Sequence, residues 1–281
     1  MEYEMQENSM KLDELREQLE LPDSVELIER EEQRESSEYL TETTEYMQGI
    51  ELDRRIKKEP REPSPPFEYT KDYIASDGRY IPAQIKGVYT DALENPAYKD
   101  IVEDLGRWQM QEKKLSCAVQ VQRMIIEEEN NEEITEAELR EIGVENNWYK
   151  DNRGTYLFDI GKLAEYKGLR SEQFEDMTIE ELISLKDTGA NILIGVDAHL
   201  LQRPSLLKDC KINHAVEFIG YDFTDKENPK VILNDPGQKM GRGVAYSMDV
   251  FERATCRIDE ATKKKTMYFA TAIYGKEDEE K

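Results

Sequence analysis

Cys117 stands at the start of an apolar run, SCAVQVQRMIIEEE, whose pattern predicts a helix. A cysteine attacks as its thiolate, and the start of a helix favours that ion because free backbone N–H groups and the helix dipole stabilise negative charge. Gln111 precedes this cysteine, and His214 and Asp235 follow much later in the chain. These residue types can provide a nucleophile, a proton carrier and polar partners, so the sequence predicts nucleophilic chemistry centred on Cys117.

Each of these side chains also has a purely structural explanation. A lone cysteine on an apolar helix is usually a core residue, and His214 begins an apolar strand where a buried, hydrogen-bonded histidine is common. The other histidine, His199, follows a predicted strand and is expected in a loop or at the rim of a substrate cleft. Cys210 lies four residues before His214, but two ligands do not make a metal site, and Cys256 is expected to be a buried structural thiol. We therefore expect no metal.

The composition narrows the class of protein. The chain has 281 residues and a formal net charge of -24, which argues against nucleic acid or an anionic membrane as a partner and accommodates a cationic protein or peptide more easily. Its three cysteines form no disulfide framework, and its acidic first residues do not resemble a cleavable signal peptide. We expect a cytoplasmic protein, or one exported by a route without a cleavable signal peptide.

Composition also divides the chain. Residues 1–66 contain 20 acidic and 9 basic residues and end in EPREPSPP, so we expect a largely flexible extension. Leucines at helical spacing within it predict a short docking helix for a protein partner, with an unpartnered helix as the alternative: Leu12, Leu15 and Leu19. Residues 67–104 read as a lead-in of loops or short strands, 105–275 as the folded enzymatic domain, and 276–281 as a charged tail.

The folded part predicts helices first and strands afterwards. After the Cys117 helix we expect helices in ITEAELREIG, TYLFDIGKLAEYKGL and MTIEELISLKDTG, the first and last opened by capping boxes. Apolar, β-branched and aromatic runs then predict strands over 192–197, 214–222, 230–235 and 266–274. This order favours an α+β fold with an antiparallel sheet.

Five segments between residues 105 and 275 resemble the papain-like bacterial peptidases of the bacteriocin-processing type, which cleave leader peptides after double-glycine motifs. The segments are QEKKLSCAVQVQRMI, NRGTYLFDIGKLAEYKGL, TIEELISLKDTGANILIGVD, NHAVEFIGYD and VILNDPGQKMGRGVAYSMDVF. Ala118 follows the cysteine where many members have glycine or a similar small residue, a difference that the fold tolerates. Because no transporter segment accompanies the domain, we expect a stand-alone relative. The resemblance implies a papain-like α+β fold in which a helical subdomain carrying the cysteine packs on an antiparallel sheet carrying the histidine and aspartate.

The resemblance also implies a role for each polar residue. Cys117 attacks a carbonyl carbon, His214 holds the ion pair and protonates the leaving amine, and Asp235 orients the imidazole, with Asn234 as the alternative orienting residue. Gln111 donates to the developing oxyanion beside the backbone N–H of Cys117.

Several alternatives remain open at this level. Gln109 could replace Gln111 as the oxyanion donor, and 237–243 (GQKMGRG) reads as a flexible turn beside the site because it lacks the Lys-Ser/Thr ending of a phosphate loop. We expect a cysteine peptidase acting on a peptide or protein, without a cofactor. The same triad also suits a deamidase or an acyl-transferring effector or toxin, and a catalytically silent papain-like binding module is a further alternative.

Overall fold

The computed structural model describes residues 67–87, 99–258 and 265–275. The acidic extension, with the proposed docking leucines Leu12, Leu15 and Leu19, and the charged tail therefore lie outside the described residues.

Thirteen strands are present in the described residues, and seven of them form one sheet. In chain order they are β1 (Tyr73–Ile74), β2 (Tyr80–Ile81), β3 (Ala83–Gln84), β4 (Tyr149–Lys150), β5 (Gly154–Thr155), β6 (Arg170–Phe174), β7 (Asn191–Val196), β8 (His214–Asp222), β9 (Lys230–Asn234), β10 (Val244–Ser247), β11 (Cys256–Ile258), β12 (Lys265–Met267) and β13 (Ala270–Tyr274). The large sheet has the order β3-β10-β9-β8-β7-β13-β6, and all its pairs are antiparallel. The remaining strands form three two-stranded pairs, β1-β2, β4-β5 and β11-β12.

The described residues also form seven α-helices and a short 3₁₀ turn at Leu157–Asp159. The α-helices are α1 (Lys99–Arg107), α2 (Cys117–Asn130), α3 (Glu136–Glu145), α4 (Lys162–Tyr166), α5 (Ile179–Lys186), α6 (Ala198–Gln202) and α7 (Met248–Thr255). The mixed helical and antiparallel architecture is the α+β class expected from the sequence.

Helix starts with capping boxes were predicted well. Thr135 accepts from the backbone N–H of Glu138 at the start of α3, and Thr178 accepts from that of Glu181 at the start of α5. In both cases the glutamate side chain returns a bond to the capping residue, which satisfies N–H groups that have no partner within the helix. These local signals need no tertiary context.

Two expectations about the elements were wrong, and one strand was not foreseen. The predicted third helix is only the five residues of α4, preceded by the 3₁₀ turn, because Gly161 adopts a positive φ of 100° that interrupts the helical path. The run 266–274 is two strands, since β12 pairs with β11 whereas β13 lies in the large sheet between β7 and β6. Strand β6 was not foreseen, because its sequence, RSEQF, is mostly polar and takes its place through pairing with β13.

Helix α2 covers the centre of the sheet. Its buried residues join Leu193 of β7 and Ala215 of β8 in one apolar cluster. Phe218 of β8 points to the opposite face, where its ring lies 6.2 Å from that of Phe251 in α7. Helices therefore cover both faces of the central strands, which explains why β7 is buried along its whole length.

Residues 67–87 and α1 complete one side of the sheet. β3 pairs with β10 at the sheet edge, and Ile101 of α1 packs so closely on β8 that a Cβ at Gly220 would lie 2.4 Å from its side chain. Phe67 and Ile101 belong to one apolar cluster. The described part of the segment before residue 105 is thus packed against the sheet.

Candidate active site

Cys117 is the first residue of α2, and the residue as a whole is partly buried. Ser116, the residue before it, is fully buried but gives the helix no side-chain cap. Its hydroxyl has a single proton, and two acceptors lie within its reach: the carbonyl of Lys113 at 2.8 Å and the carboxylate of Glu136 at 2.7 Å. The first N–H groups of α2 are therefore not used by a capping side chain, and a thiolate at this position benefits from them.

His214 is the first residue of β8, and Asp235 directly follows the last residue of β9. Because these neighbouring antiparallel strands begin and end at the same edge of the sheet, the two side chains meet there. The imidazole Nε2 lies 2.7 Å from Oδ1 of Asp235. The side chains are 12% and 3% exposed, so this ion pair is largely shielded from water. With Nε2 facing Asp235, Nδ1 is the nitrogen left for the Cys117 thiol, whose pKa the imidazole lowers.

The loop after β9 holds the Asp235 carboxylate. The backbone N–H of Gly237 donates to Oδ1 at 2.8 Å, and the side-chain amide of Gln238 donates to Oδ2 at 2.6 Å. The indole N–H of Trp108 donates to the backbone carbonyl of Asp235 at 2.9 Å. Glycine is also the only residue type that fits at position 237, since a Cβ there would lie 2.8 Å from the His214 ring. The carboxylate is consequently fixed in one orientation toward the imidazole.

The pKa values of these three groups move in the directions that an ion pair requires. Burial opposes ionisation of Cys117, but the hydrogen bond and charge of His214, with the N–H groups of Ala215 and Ala118, outweigh it and lower the thiol pKa. Burial likewise opposes the charged form of His214, yet the Asp235 charge and hydrogen bond raise its pKa to about 10. The pKa of Asp235 is lowered because its attraction to His214 overcomes its own burial. Thiolate, imidazolium and carboxylate thus stabilise one another.

Gln111 lies in the loop before Cys117 and beside the Asp235 loop. Its backbone N–H donates to the carbonyl of Pro236 at 2.9 Å, and its side-chain Nε2 donates to the carbonyl of Lys113 at 2.6 Å. Since a carbonyl can only accept, this contact determines which end of the amide is the nitrogen. The amide nitrogen has a second N–H that this bond does not use.

Gln109, the alternative donor, is held elsewhere. Its side-chain amide donates at 2.6 Å to Glu127, which lies in the second half of α2. Its backbone N–H lies 3.0 Å from the sulfur of Met124 on the same helix. Gln109 therefore anchors the loop to the side of α2, and its amide is engaged away from the start of the helix.

Asn234, the alternative orienting residue, does not reach His214. Its amide donates to the backbone carbonyl of Asp104 at 2.7 Å and to the fully buried carboxylate of Glu217 at 3.0 Å, and its oxygen accepts from Gly243. Glu217 also pairs with Arg107 of α1. Asn234 thus joins β9, β8 and α1 below the site, while the adjacent Asp235 points to the imidazole.

The other cysteines and the second histidine have different surroundings. Burial raises the pKa of Cys210 to about 12, with the charge of Asp197 adding to it, and burial also raises the pKa of Cys256. His199 lies in α6 with an exposed side chain and contacts Asn213 at 3.1 Å. Within 67–87, 99–258 and 265–275, no group of three or more His, Cys, Asp or Glu side chains could hold a metal ion.

Glu136 is a site residue that the sequence analysis missed. This fully buried carboxylate, the first residue of α3, accepts from the backbone N–H groups of Glu112 at 2.6 Å and Lys113 at 3.2 Å, and from the Ser116 hydroxyl. It therefore holds the loop that leads into Cys117. In the sequence it resembles any acidic residue at a helix start, so no local signal distinguishes it.

Gln238 was also missed as an individual residue, since 237–243 was interpreted only as a flexible turn. Besides its bond to Asp235, its amide lies 3.2 Å from the hydroxyl of the buried Tyr246. The Asp-Pro-Gly sequence at 235–237 gives a partial signal, because an aspartate two residues before a backbone N–H often accepts from it, as Asp235 does.

Among the described residues, no helix is both long enough and apolar enough to cross a bilayer. No protein-family model matches the sequence, and none of the curated proteins matches it.

Several solved structures resemble this chain. They include the peptidase domain of Streptococcus ComA, a bi-functional ABC transporter involved in quorum sensing, at 15% identity and a TM-score of 0.40, with 60% of this chain and 98% of that one covered. A double-glycine-motif protease from an AMS/PCAT transporter, solved with its leader peptide, has 15% identity and a TM-score of 0.40 over 59% of this chain and 89% of that one. A putative C39-like peptidase from Bacillus anthracis has 16% identity and a TM-score of 0.41 over 60% and 95%. The three are described as a peptidase domain, a protease and a putative peptidase.

Proposed function

We propose that this protein is a cysteine peptidase with Cys117, His214 and Asp235 as its catalytic triad. The observation that carries the proposal is the His214 imidazole, which lies 2.7 Å from the Asp235 carboxylate and lowers the pKa of the thiol at the start of α2. Of the three cysteines, Cys117 is the one whose pKa is lowered. A nucleophile, a base and an orienting group in this order are what acyl transfer through a thiol requires.

In the first half of the reaction, the Cys117 thiolate attacks the carbonyl carbon of a peptide bond, and the electron pair of the C=O bond moves onto oxygen. When that oxyanion collapses, the C–N bond breaks. The imidazolium of His214 gives its proton to the departing amine, which leaves a thioester on Cys117 and a neutral imidazole. Asp235 keeps the ring in the orientation that this proton transfer needs.

Gln111 is proposed as the donor to the oxyanion. The bond to the Lys113 carbonyl fixes the plane of its side-chain amide and leaves one N–H of Nε2 for the developing charge. The backbone N–H of Cys117 is the second donor. A fixed donor is favourable because it needs no reorganisation when the charge forms, and its loss typically costs about 10²–10³ in rate.

In the second half, the neutral imidazole of His214 takes a proton from water. The resulting hydroxide equivalent attacks the thioester carbon, the C–S bond breaks, and the carboxylic product leaves. Cys117 returns as a thiolate and His214 as an imidazolium, so the ion pair is restored and no cofactor is consumed.

Incubation of a denatured proteome with the purified protein, followed by mass spectrometry of peptide termini, tests the proposal. New termini that appear with the wild-type protein and not with Cys117→Ala are the expected result. Cys210→Ala is the matched control, because it removes a thiol whose pKa is raised, and it should produce the same termini as wild type.

Two other results would overturn the peptidase assignment. A mass gain of about one dalton at glutamine without new termini identifies a deamidase, since the same thioester forms from a side-chain amide. Absence of any change, together with failure of a thiol-directed electrophile to label Cys117 faster than Cys210, identifies a silent binding module.

A further inference from the structure

Two loops flank the proposed triad and touch each other. The loop 109–116 runs directly into Cys117, and the loop 236–243 follows Asp235. They are joined by the bond from the Gln111 backbone to the Pro236 carbonyl. Any extended substrate whose carbonyl reaches the sulfur must therefore pass beside them.

The turn between β4 and β5 is a third neighbour. Gly154 has a positive φ of 91°, and a Cβ at this position would lie 2.9 Å from the carbonyl oxygen of Leu115. The hairpin thus packs directly against the loop that precedes Cys117. We call residues 109–116, 149–155 and 236–243 together the rim loops.

The rim loops are basic although the whole chain is strongly acidic. They carry two acidic side chains outside the triad, Glu112 and Asp151, and six exposed cations: Lys113, Lys114, Lys150, Arg153, Lys239 and Arg242. Asp151 is already within 3.5 Å of Arg140 on α3. The rim loops therefore have an excess of positive charge, whereas the chain as a whole has a formal charge of -24.

The six rim cations lack the carboxylate partners that many basic side chains elsewhere in the described residues have. Cations elsewhere in the described chain commonly pair with carboxylates, as Arg123 does with Glu127 and Lys167 with Glu132. None of the six has a carboxylate partner among the residues that the structure describes. Two of them lie over the ring of Tyr156, Lys150 at 6.0 Å and Arg153 at 4.2 Å from its centroid. Their charge is available to a bound molecule.

We infer that the substrate of this site is an acidic peptide segment, with carboxylates on the residues that flank the cleaved bond. The inference rests on the proposed peptidase function. Whole-chain charge alone favours a cationic partner, but charges separated by more than about 8 Å are screened at physiological ionic strength, so the nearby rim cations govern what binds. Several unpaired cations around one site raise both the encounter rate and the affinity for an anionic ligand.

Binding can be measured separately from cleavage by using Cys117→Ala in the full chain. Three fluorescein-labelled peptides of about 12 residues, long enough to span the rim loops, share one central sequence and carry acidic, neutral or basic flanks. We expect the acidic peptide to bind at least about tenfold more tightly than the neutral one at low salt, with the difference falling below about twofold at about 0.5 M salt.

Charge reversal locates the effect. Lys114→Glu, Arg153→Glu and Lys239→Glu should each weaken binding of the acidic peptide about three-fold or more at low salt, while leaving the neutral peptide unchanged. Lys226→Glu is the matched control. This exposed lysine lies in the loop after Asp222, the last residue of β8. A nine-residue strand places Asp222 about 26 Å from His214. It should have no effect.

Three outcomes would overturn the inference: equal binding of the three peptides, an equal effect of Lys226→Glu, or binding of a single-stranded oligonucleotide as tight as that of the acidic peptide with the same sensitivity to the rim variants. The last result would identify a general polyanion surface. Cleavage of the peptides by the wild-type protein is recorded in parallel. Charge-selective binding without cleavage would contradict the proposed peptidase function and leave the acidic-ligand site standing.

Discussion

Replacing Asp235 by asparagine should lower the pKa of His214, because it removes the carboxylate charge while keeping a side chain of nearly the same size. The carboxylate is the main group that raises this pKa to about 10 against the effect of burial. An opposite charge at hydrogen-bond distance is worth about 1–3 pKa units, so the variant should titrate between about 7 and 9. For a fall of about two units, the protonated fraction of His214 at pH 8 drops from nearly complete to about one half.

The titration can be read directly, because the chain contains only two histidines. Imidazole NMR signals of the selectively labelled protein are followed from about pH 5 to 11, and His199→Gln identifies the signal of His214. Asp222→Asn is the matched control, since it makes the same chemical change at a buried aspartate at the opposite end of β8. A His214 pKa in Asp235→Asn within about half a unit of wild type would refute the assigned coupling.

Stability and reactivity should follow with signs fixed by the same shifts. A raised pKa means that the folded protein holds the His214 proton more tightly than the unfolded chain, so this contribution is present below about 6.5 and is lost as pH rises through about 10. Asp235→Asn should therefore lose less stability between pH 7 and 10 than wild type. The thiolate also loses its imidazolium partner, so the pH at which iodoacetamide begins to alkylate Cys117 should move upward.

Other changes give separate tests. Cys117→Ala should lose turnover by several orders of magnitude with little change in urea unfolding, whereas Cys256→Ala should retain most activity in the same peptide assay, and a fully active Cys117→Ala would require another nucleophile. Glu136→Gln should cost about 2 kcal/mol, because an amide cannot accept from every donor around the carboxylate, and it should also slow alkylation of Cys117; loss of stability with an unchanged alkylation rate would show that Glu136 does not position the nucleophile. Deletion of residues 1–66 should leave hydrolysis of a small peptide unchanged and abolish recruitment of a protein partner; faster hydrolysis would instead indicate an inhibitory arm. Limited digestion should remove this segment first. Resistance along its whole length would contradict both the partner-binding and the inhibitory-arm interpretations.

The local features of the fold were accessible from the sequence. Capping residues, helix periodicity and β-branched runs act over a few neighbouring positions, so α2, α3, α5, β7, β8 and β9 could be predicted. Polar β6 could not, because its pairing with β13 depends on residues about a hundred positions away. The split between β12 and β13 is likewise decided by different pairing partners.

For the candidate site, too, local features could be predicted from the sequence and long-range contacts could not. By itself the sequence determined that a cysteine begins a helix, that a histidine begins one strand and that an aspartate ends another, since those placements follow from local patterns. Only the tertiary structure decided that Asp235 rather than Asn234 meets the imidazole, because the alternation of side chains at the end of β9 sends adjacent residues to different surroundings. It also decided that Glu136 holds the loop before Cys117 and that the rim loops gather unpaired cations, because contacts between distant segments and the local sum of their charges exist only once the chain is folded.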